Sequence, residues 1–465
     1  MTRTPLEIPG PLGREARGRR RVRWLRALAP LRALLADLLP RLLDLAVAAA
    51  LVAVLFPLLA IRALASLVQA GRVLTGERLI GRLRVPFLGL RFAGEGPLRG
   101  LAVWLNVLRG DLAVVGPRPL TPEEAQAVPV ADLVRFAVRP GLVSPFGVRR
   151  RIGIAHGRES ALDRDFVYRQ SVKGDLGLAA RSLVTGVLGG GAAQAEVPPV
   201  LNFFGIPVVN TTMAEAVDWI LGACAPQDGS DPACLRLAFV NPDCLNLAWG
   251  NPDYREALRQ AERVLPDGIG IHIGCRMLGQ GLRENVNGTD MFPLLCEAAA
   301  EAGRSLYLVG ARPGIAAAAA EAMQMRYPSL RVAGVRDGYF APEEESAVVE
   351  SINSSGADLL LVAFGAPRQD LWIARHRQAL KPRVAMGVGG LFDFYSGRIP
   401  RAPVWMRELG LEWLYRLMQE PGRMWRRYVI GNPLFLYRVW RQAADPDRFP
   451  LPEPAPTAPA GGAPR

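Results

Sequence analysis

The sequence predicts an α/β fold: a largely parallel sheet in the C-terminal half, preceded by a small, α-rich, membrane-associated domain with a re-entrant helix. Three observations predict it. From residue 200 onward, short apolar runs alternate with helical stretches, the pattern of strands covered by helices on both faces. Small, Gly-rich turns follow those runs, at the strand ends where such sheets bind ligands. Near the N-terminus, the residues from Leu45 to Ile61 form an uninterrupted apolar stretch. Together the first two make the C-terminal domain Rossmann-like.

Residues 1–40 are Pro/Gly-rich and then basic, and lack the layout of a signal peptide. The apolar stretch is at the short end of the roughly 17–25 residues that span a bilayer. Pro57 lies inside it and predicts a kink or break. Arg41 and Arg62 flank it, and positive charge favours the cytoplasmic side. A hairpin that enters the membrane and returns fits both ends; a spanning helix and a buried soluble helix are the alternatives. The domain containing it is expected over 41–188. Residues 189–199, "GGGAAQAEVPP", have linker composition. The α/β domain is expected over 200–441, with strands at 235–241, 304–310, 330–335, 358–365 and 383–390 and helices at "DMFPLLCEAAAEAG" and "GIAAAAAEAMQMRY". A Pro/Ala-rich tail, 442–465, is expected to be disordered.

The 465 residues suffice for two or three domains, and the formal net charge is +13. Nearly all the basic residues are arginine, which fits a compositional bias, so their placement matters more than their number. The expected anionic partners are inner-membrane lipid and a phosphorylated substrate, with no nucleic acid. The five cysteines form no C-x-x-C pair, and there are three histidines. Zinc ribbons, dense disulfide frameworks and histidine-rich metal chemistry are excluded as expectations, and a reducing compartment fits.

In the C-terminal domain the loops after the strands read "PDCLN", "PDG", "ARPG", "APRQD" and "LFDFYSG". Such turns let backbone approach a phosphate or nucleotide. With the blocks "NTTMAEAVDWI", "FVNPDCLNLA", "LPDGIGI", "RENVNGTDM", "LYLVGARPG", "GYF", "VAFGAPRQDLWI", "GVGGLFDFYSGRIPRAPVWM" and "LEWLYRLMQEPGRMWRR", they place 203–440 in an order that resembles the WecG/TagA/CpsF glycosyltransferases. The resemblance implies transfer of a sugar from a UDP-sugar to a polyprenyl-diphosphate-linked acceptor. It implies Asp267 as the base and Gln369 as an active-site donor. Asn241 matches a polar strand-end position near the nucleotide, although Phe239 replaces a threonine common two residues earlier. Thr289 and Asp290 read as a helix cap or a substrate contact. Arg416, Arg423 and Arg426 match appendage arginines that close over the diphosphate; on one helix they would share a face. That segment is also amphipathic enough to lie on an anionic membrane. No D-x-D pair stands where these enzymes would need one, so metal dependence is not implied, and no cofactor is expected beyond the UDP-sugar substrate.

Residues 40–190 resemble bacterial polyprenyl-phosphate sugar-phosphate transferases through "GRLRVPFLGLRF", "NVLRGDLAVVGPRP", "RPGLVSPFG" and "DRDFVYRQSVKGDLGLAARSLVTGVL". That family's chemistry rests on an Asp-Glu pair just before "NVL-x-GD", the aspartate acting as nucleophile. Here the pair falls on Arg99 and Gly100, and Ala93 stands where a phosphate-binding arginine is expected. The domain therefore reads as degenerate, with Glu95 the one displaced carboxylate that could substitute. The expected protein is a membrane-associated inverting glycosyltransferase of cell-surface or exopolysaccharide synthesis, at the cytoplasmic face of the bacterial inner membrane. Its further partners would be a second copy of the chain or polysaccharide-assembly proteins. The alternatives are a bifunctional transferase and a non-enzymatic assembly scaffold.

Overall fold

The computed structural model describes residues 29–152, 159–189, 196–225 and 234–452. Most of the expected basic segment, most of the expected linker and residues 453–465 of the expected tail lie outside the described residues. The chain divides into two compact units, with the main boundary between Ser182 and Leu183.

The first unit is organised along one long helix, α1 (Ala29–Ala70). Its portion Leu38–Ala70 is long and apolar enough to cross a membrane. The expected break at Pro57 is not there: the helix continues through it. A proline costs a helix interior about 3 kcal/mol, and the helix is tied to the rest of the unit by contacts on both sides of Pro57. Before it, Arg41 donates to the Val107 and Leu108 carbonyls at 2.7 and 3.1 Å. The Asp44 carboxylate accepts the Val114 N–H at 2.9 Å. After it, Arg62 donates to the Ala93 and Glu95 carbonyls at 3.0 and 3.3 Å. One face of α1 is thus fixed along the unit, with Ala48 and Ser66 buried. The other face stays apolar and exposed: Val54 is 76% and Ile61 67% accessible.

Against α1 pack a hairpin, β1 (Leu74–Ile80) with β2 (Pro86–Phe92), and the short helix α2 (Val103–Arg109). Asn106 of α2 explains much of the "NVLRGD" motif. Its side chain accepts the Leu90 N–H at 2.8 Å and donates to the Leu88 carbonyl at 2.7 Å and to Asp111 at 3.0 Å. Two short parallel strands follow, β3 (Ala113–Val115) and β4 (Gly141–Val143), and then two helices, α3 (Glu159–Arg169) and α4 (Val172–Gly189).

The second unit begins with an antiparallel hairpin, β5 (Val200–Phe203) and β6 (Ile206–Val209), that the apolar alternation did not reveal. Its centre is a six-stranded parallel sheet: β7 (Leu235–Val240), β8 (Arg263–Pro266), β9 (Ser305–Gly310), β10 (Arg331–Arg336), β11 (Leu359–Ala363) and β12 (Val384–Gly387), in the order β10-β9-β11-β12-β7-β8. Strand residues alternate between two cores. Leu237 and Phe239 face one, with Leu306, Leu361 and Met386. Ala238 and Val240 face the other, with Leu245, Tyr254 and Phe435. This two-sided burial is why the strands read as continuous apolar runs.

The helices that matter for the site are α5 (Pro242–Gly250) after β7, α6 (Ile269–Met277) after β8, α7 (Gly288–Glu301), α8 (Arg368–His376) after β11 and α9 (Val404–Glu408). The C-terminal segment is not one helix. It runs as α10 (Glu412–Gln419), a break at Glu420, α11 (Pro421–Trp425), a π-turn over Arg426–Ile430, and α12 (Gly431–Ala444). The ordered fold also passes the expected boundary at 441. Phe449 stacks near Phe204 and Trp249, and its carbonyl accepts from Asn202 at 2.7 Å, so its ring has apolar surface to bury.

If the exposed face of α1 is the lipid contact, Val54→Asp combined with Ile61→Asp should leave the unit folded and lower the fraction of protein that sediments with anionic lipid vesicles. Sedimentation equal to the parent chain would show that this face does not meet lipid.

Candidate active site

The site lies where β7 and β8 end side by side. The Asp267 N–H bonds the Val240 carbonyl at 2.8 Å, extending the parallel ladder by one step beyond β8. This sets Asp267 next to Asn241, the residue that ends β7. Asn241 caps α5: its side-chain oxygen accepts the Asp243 and Cys244 N–H groups, both at 3.1 Å. Its amide nitrogen is thereby turned toward Asp267, 3.5 Å from the carboxylate. Behind Asp267, Gly268 takes φ +95°, and its N–H bonds the Asn285 side chain at 2.6 Å.

These residues floor a cavity of about 160 Å³. Asn285, Asn287, Thr289 and Asp290 line it, as do Arg407, Glu412, Trp413, Arg416, Arg427 and Tyr428. Burial pushes the Asp267 carboxyl up from its ordinary value; Arg427 and the Asn241 amide pull it back, Glu412 pushes it up further, and Arg416 pulls it down. A carboxylate raised in this way, at the edge of a cavity, suits a base.

Of the residues expected from the sequence, the structure brings together Asn241, Asp267, Thr289, Asp290 and Arg416. Arg416 stacks on the Phe394 ring, 5.1 Å from its centre. The capping role expected of Thr289 and Asp290 belongs to Asn287, whose side chain accepts the Asp290 N–H at 2.8 Å. Asp290 is instead held by two guanidiniums, Arg401 at 2.5 Å and Arg407 at 3.7 Å.

Three expected residues are placed elsewhere. Gln369 does not line the cavity. It is 4% exposed, and its side-chain oxygen accepts the Gly365 and Gly389 N–H groups at 3.1 and 2.9 Å, tying the turn after β11 to the turn after β12. Arg423 is 66% exposed and pairs with Glu420 at 3.6 Å. Arg426 is exposed and rests on Trp425. The shared-face reading failed because Glu420 and Pro421 interrupt the helix and the π-turn shifts the register after it. That shift sends Arg427 into the cavity, its Nε 3.4 Å from Asp243. Arg427, Arg407 and Glu412 were missed; their only signal in the sequence was membership of the charged stretch 401–427. Among the described residues no group of three His, Cys, Asp or Glu side chains could hold a metal ion.

Comparison with known proteins bears on both units. Residues 201–448 match the family described as "Glycosyl transferase WecG/TagA/CpsF family", and residues 98–189 match "Bacterial sugar transferase". Among similar proteins, the N-acetylglucosaminyldiphosphoundecaprenol N-acetyl-beta-D-mannosaminyltransferase of Bacillus subtilis (strain 168) is 30% identical over 249 residues, covering 53% of this chain and 94% of the relative. The enzyme of the same name from Bacillus spizizenii (strain ATCC 23059 / NRRL B-14472 / W23) is 35% identical over 186 residues, covering 40% of this chain and 71% of the relative.

If Gln369 is a clamp between turns, Gln369→Ala leaves two N–H groups unpaired and should lower the stability of the protein by about 1–3 kcal/mol. Chemical denaturation followed by tryptophan fluorescence measures this. An unchanged midpoint with lost activity would return Gln369 to a ligand-binding role.

Proposed function

Because the chain belongs to the WecG/TagA/CpsF family of glycosyltransferases, we propose that its cavity transfers a sugar from a UDP-sugar to a polyprenyl-diphosphate-linked saccharide, with inversion, in the synthesis of a cell-surface or exopolysaccharide. The observation that carries this reading is that Asp267, Arg416 and Arg427 line one cavity at the ends of β7 and β8. Direct inverting transfer needs a base on one side of the anomeric carbon and positive charge on the other. Asp267 takes the proton of the attacking acceptor hydroxyl as the new glycosidic bond forms. The bond to the UDP oxygen breaks on the opposite face, and its negative charge develops on the diphosphate. Guanidiniums suit that charge because their planar fork matches phosphate oxygens. Arg416 has no carboxylate partner among the described residues within ion-pair distance, so its charge remains available to a ligand.

Asp267 must be ionised to act. Activity is therefore present above its folded pKa and lost as pH falls through it. Replacing it by Asn removes the base with little change of shape and should lower UDP release by about 10²- to 10⁴-fold. Unchanged turnover by a folded Asp267→Asn protein would sink this mechanism.

The N-terminal unit is read as a catalytically inactive membrane anchor. Arg99 and Gly100 stand where the nucleophile would be. The Arg118 guanidinium of "GPRP" is already engaged by carboxylates, Glu159 at 2.9 and 3.2 Å and Glu124 at 3.0 and 3.2 Å. A guanidinium so paired is poorly placed to bind a phosphate. The C-terminal unit adds its own candidate membrane contact, with Trp405, Trp425, Tyr437 and Trp440 exposed beside Arg423 and Arg426. These features support action at the cytoplasmic face of the inner membrane, where a lipid-linked acceptor is reached. Full-length Asp267→Asn protein, given UDP-sugars and polyprenyl phosphate, should release no UMP. UMP release would instead support a bifunctional enzyme.

A further inference from the structure

We propose that Arg427 is a positioning residue for Asp267: reaching into the same cavity from the π-turn and anchored on Asp243, its guanidinium is the counter-charge that the base depends on. The inference rests on the base role of Asp267 and goes beyond it by naming what enables that base.

The geometry is specific. Asp267 sits at the end of β8 and is fixed by backbone, through its N–H to Val240 and through the Gly268 N–H to Asn285. Neither bond compensates the charge of its carboxylate. Among the described residues, the one hydrogen-bond donor to that carboxylate is the Asn241 amide, at a long 3.5 Å. The charged groups that line the cavity with it come from four elements. Asp243 lies on α5, Asp290 on α7 and Arg407 on α9; Glu412, Arg416 and Arg427 lie on the C-terminal segment. Three acids and three guanidiniums balance in number, but they are partnered unevenly. Asp290 is neutralised by Arg401 and Arg407, and Glu412 by Arg401 at 3.5 Å. Asp243 takes Arg427 through one nitrogen, at 3.4 Å. Arg427 acts on Asp267 more strongly than Arg416 does.

The local backbone supplies this placement. In a continuous α-helix from Pro421 onward, residues 423 and 427 would share a face. Arg423 is nevertheless exposed and Arg427 is in the cavity, because the π-turn over Arg426–Ile430 widens the helix where Arg427 leaves it. Turns of this kind recur at functional sites. Beside Arg427, Tyr428 packs near Trp413 with ring centres 6.0 Å apart, joining α10 to the π-turn. Asn246 on α5 donates to the Gly431 carbonyl at 2.7 Å, closing the segment onto the helix that Asn241 caps. These contacts fix the π-turn, and with it Arg427, against α10 and α5.

The test is the pH dependence of kcat/KM for UDP release by the full-length chain. Arg427→Gln should move the acidic limb upward by about one unit or more, the size expected for loss of a nearby opposite charge. The loss of activity is then at least tenfold below the limb and shrinks as pH rises. Arg427→Lys, which keeps the charge, should restore the limb to within about 0.3 unit. A loss equal at every pH, with the limb unmoved, overturns the proposal. If Arg427→Gln does not fold, Arg427→Met keeps the packing of the stem and is read the same way. Asp267→Asn separates the two levels. An active Asp267→Asn protein defeats the base assignment itself, whereas an inactive one combined with an unmoved Arg427→Gln limb defeats only this inference.

Discussion

The hydrogen bond from the Asp267 N–H to the Val240 carbonyl is the point at which the fold passes its geometry to the site. It is one more rung of the β7–β8 ladder, formed after the last paired residues, Val240 and Pro266. Parallel strands end in register, so two residues that follow neighbouring strands must stand side by side. Here those residues are an amide and a carboxylate. The carboxylate is held by backbone on two sides, and its distance from the sheet end does not depend on any flexible side chain. The left-handed Gly268 then turns the chain away into α6 and keeps the space above Asp267 clear of a side chain.

Everything else at the site arrives from elements farther along the chain. Asp290 is placed by Asn287 capping α7, and Arg416 and Arg427 by the broken C-terminal segment. The sheet ends thus supply the Asp267 carboxylate, and the segment supplies two of the guanidiniums that line the cavity with it. Arg401 reaches both Asp290 and Glu412 and offsets their charge in the neighbourhood of Asp267.

The sheet was legible from the sequence because its strands are buried on both faces and stand out as apolar runs. Asn241 was legible for the same reason, since it ends such a run; Asp267 was singled out through the family resemblance, because β8, four residues long, was not among the expected strands. The hairpin β5–β6 was not. Its strands have four residues each, and its turn, Phe204-Gly205, has two consecutive positive φ angles of 59° and 82°. Phenylalanine rarely takes that conformation, so "FFGIP" lacks the usual Asn-Gly turn signal. The arginines were misassigned for a different reason. Spacing predicts a shared face only while helix geometry is continuous. "QEPGR" contains the proline that ends α10, but the π-turn after it has no comparable residue signature. Gln369 was misplaced because a polar residue at a strand end reads equally as a ligand donor and as a clamp for the turns it joins.

In the N-terminal unit, the stretch "NVLRGDLAVVGPRP" within the bacterial sugar transferase match has structural work to do. Asn106 and Asp111 are bonded to each other, and Asn106 also bonds the backbone of β2. These contacts orient α2 against the hairpin and α1, whatever residue stands upstream at 99. Buried polar groups that are fully paired are costly to replace, since removal of one partner strands the other. Arg118 is held in the same way, its guanidinium engaged by Glu124 and Glu159. A motif whose polar side chains are partnered by the fold is thus accounted for by packing, whether or not the residues upstream of it react.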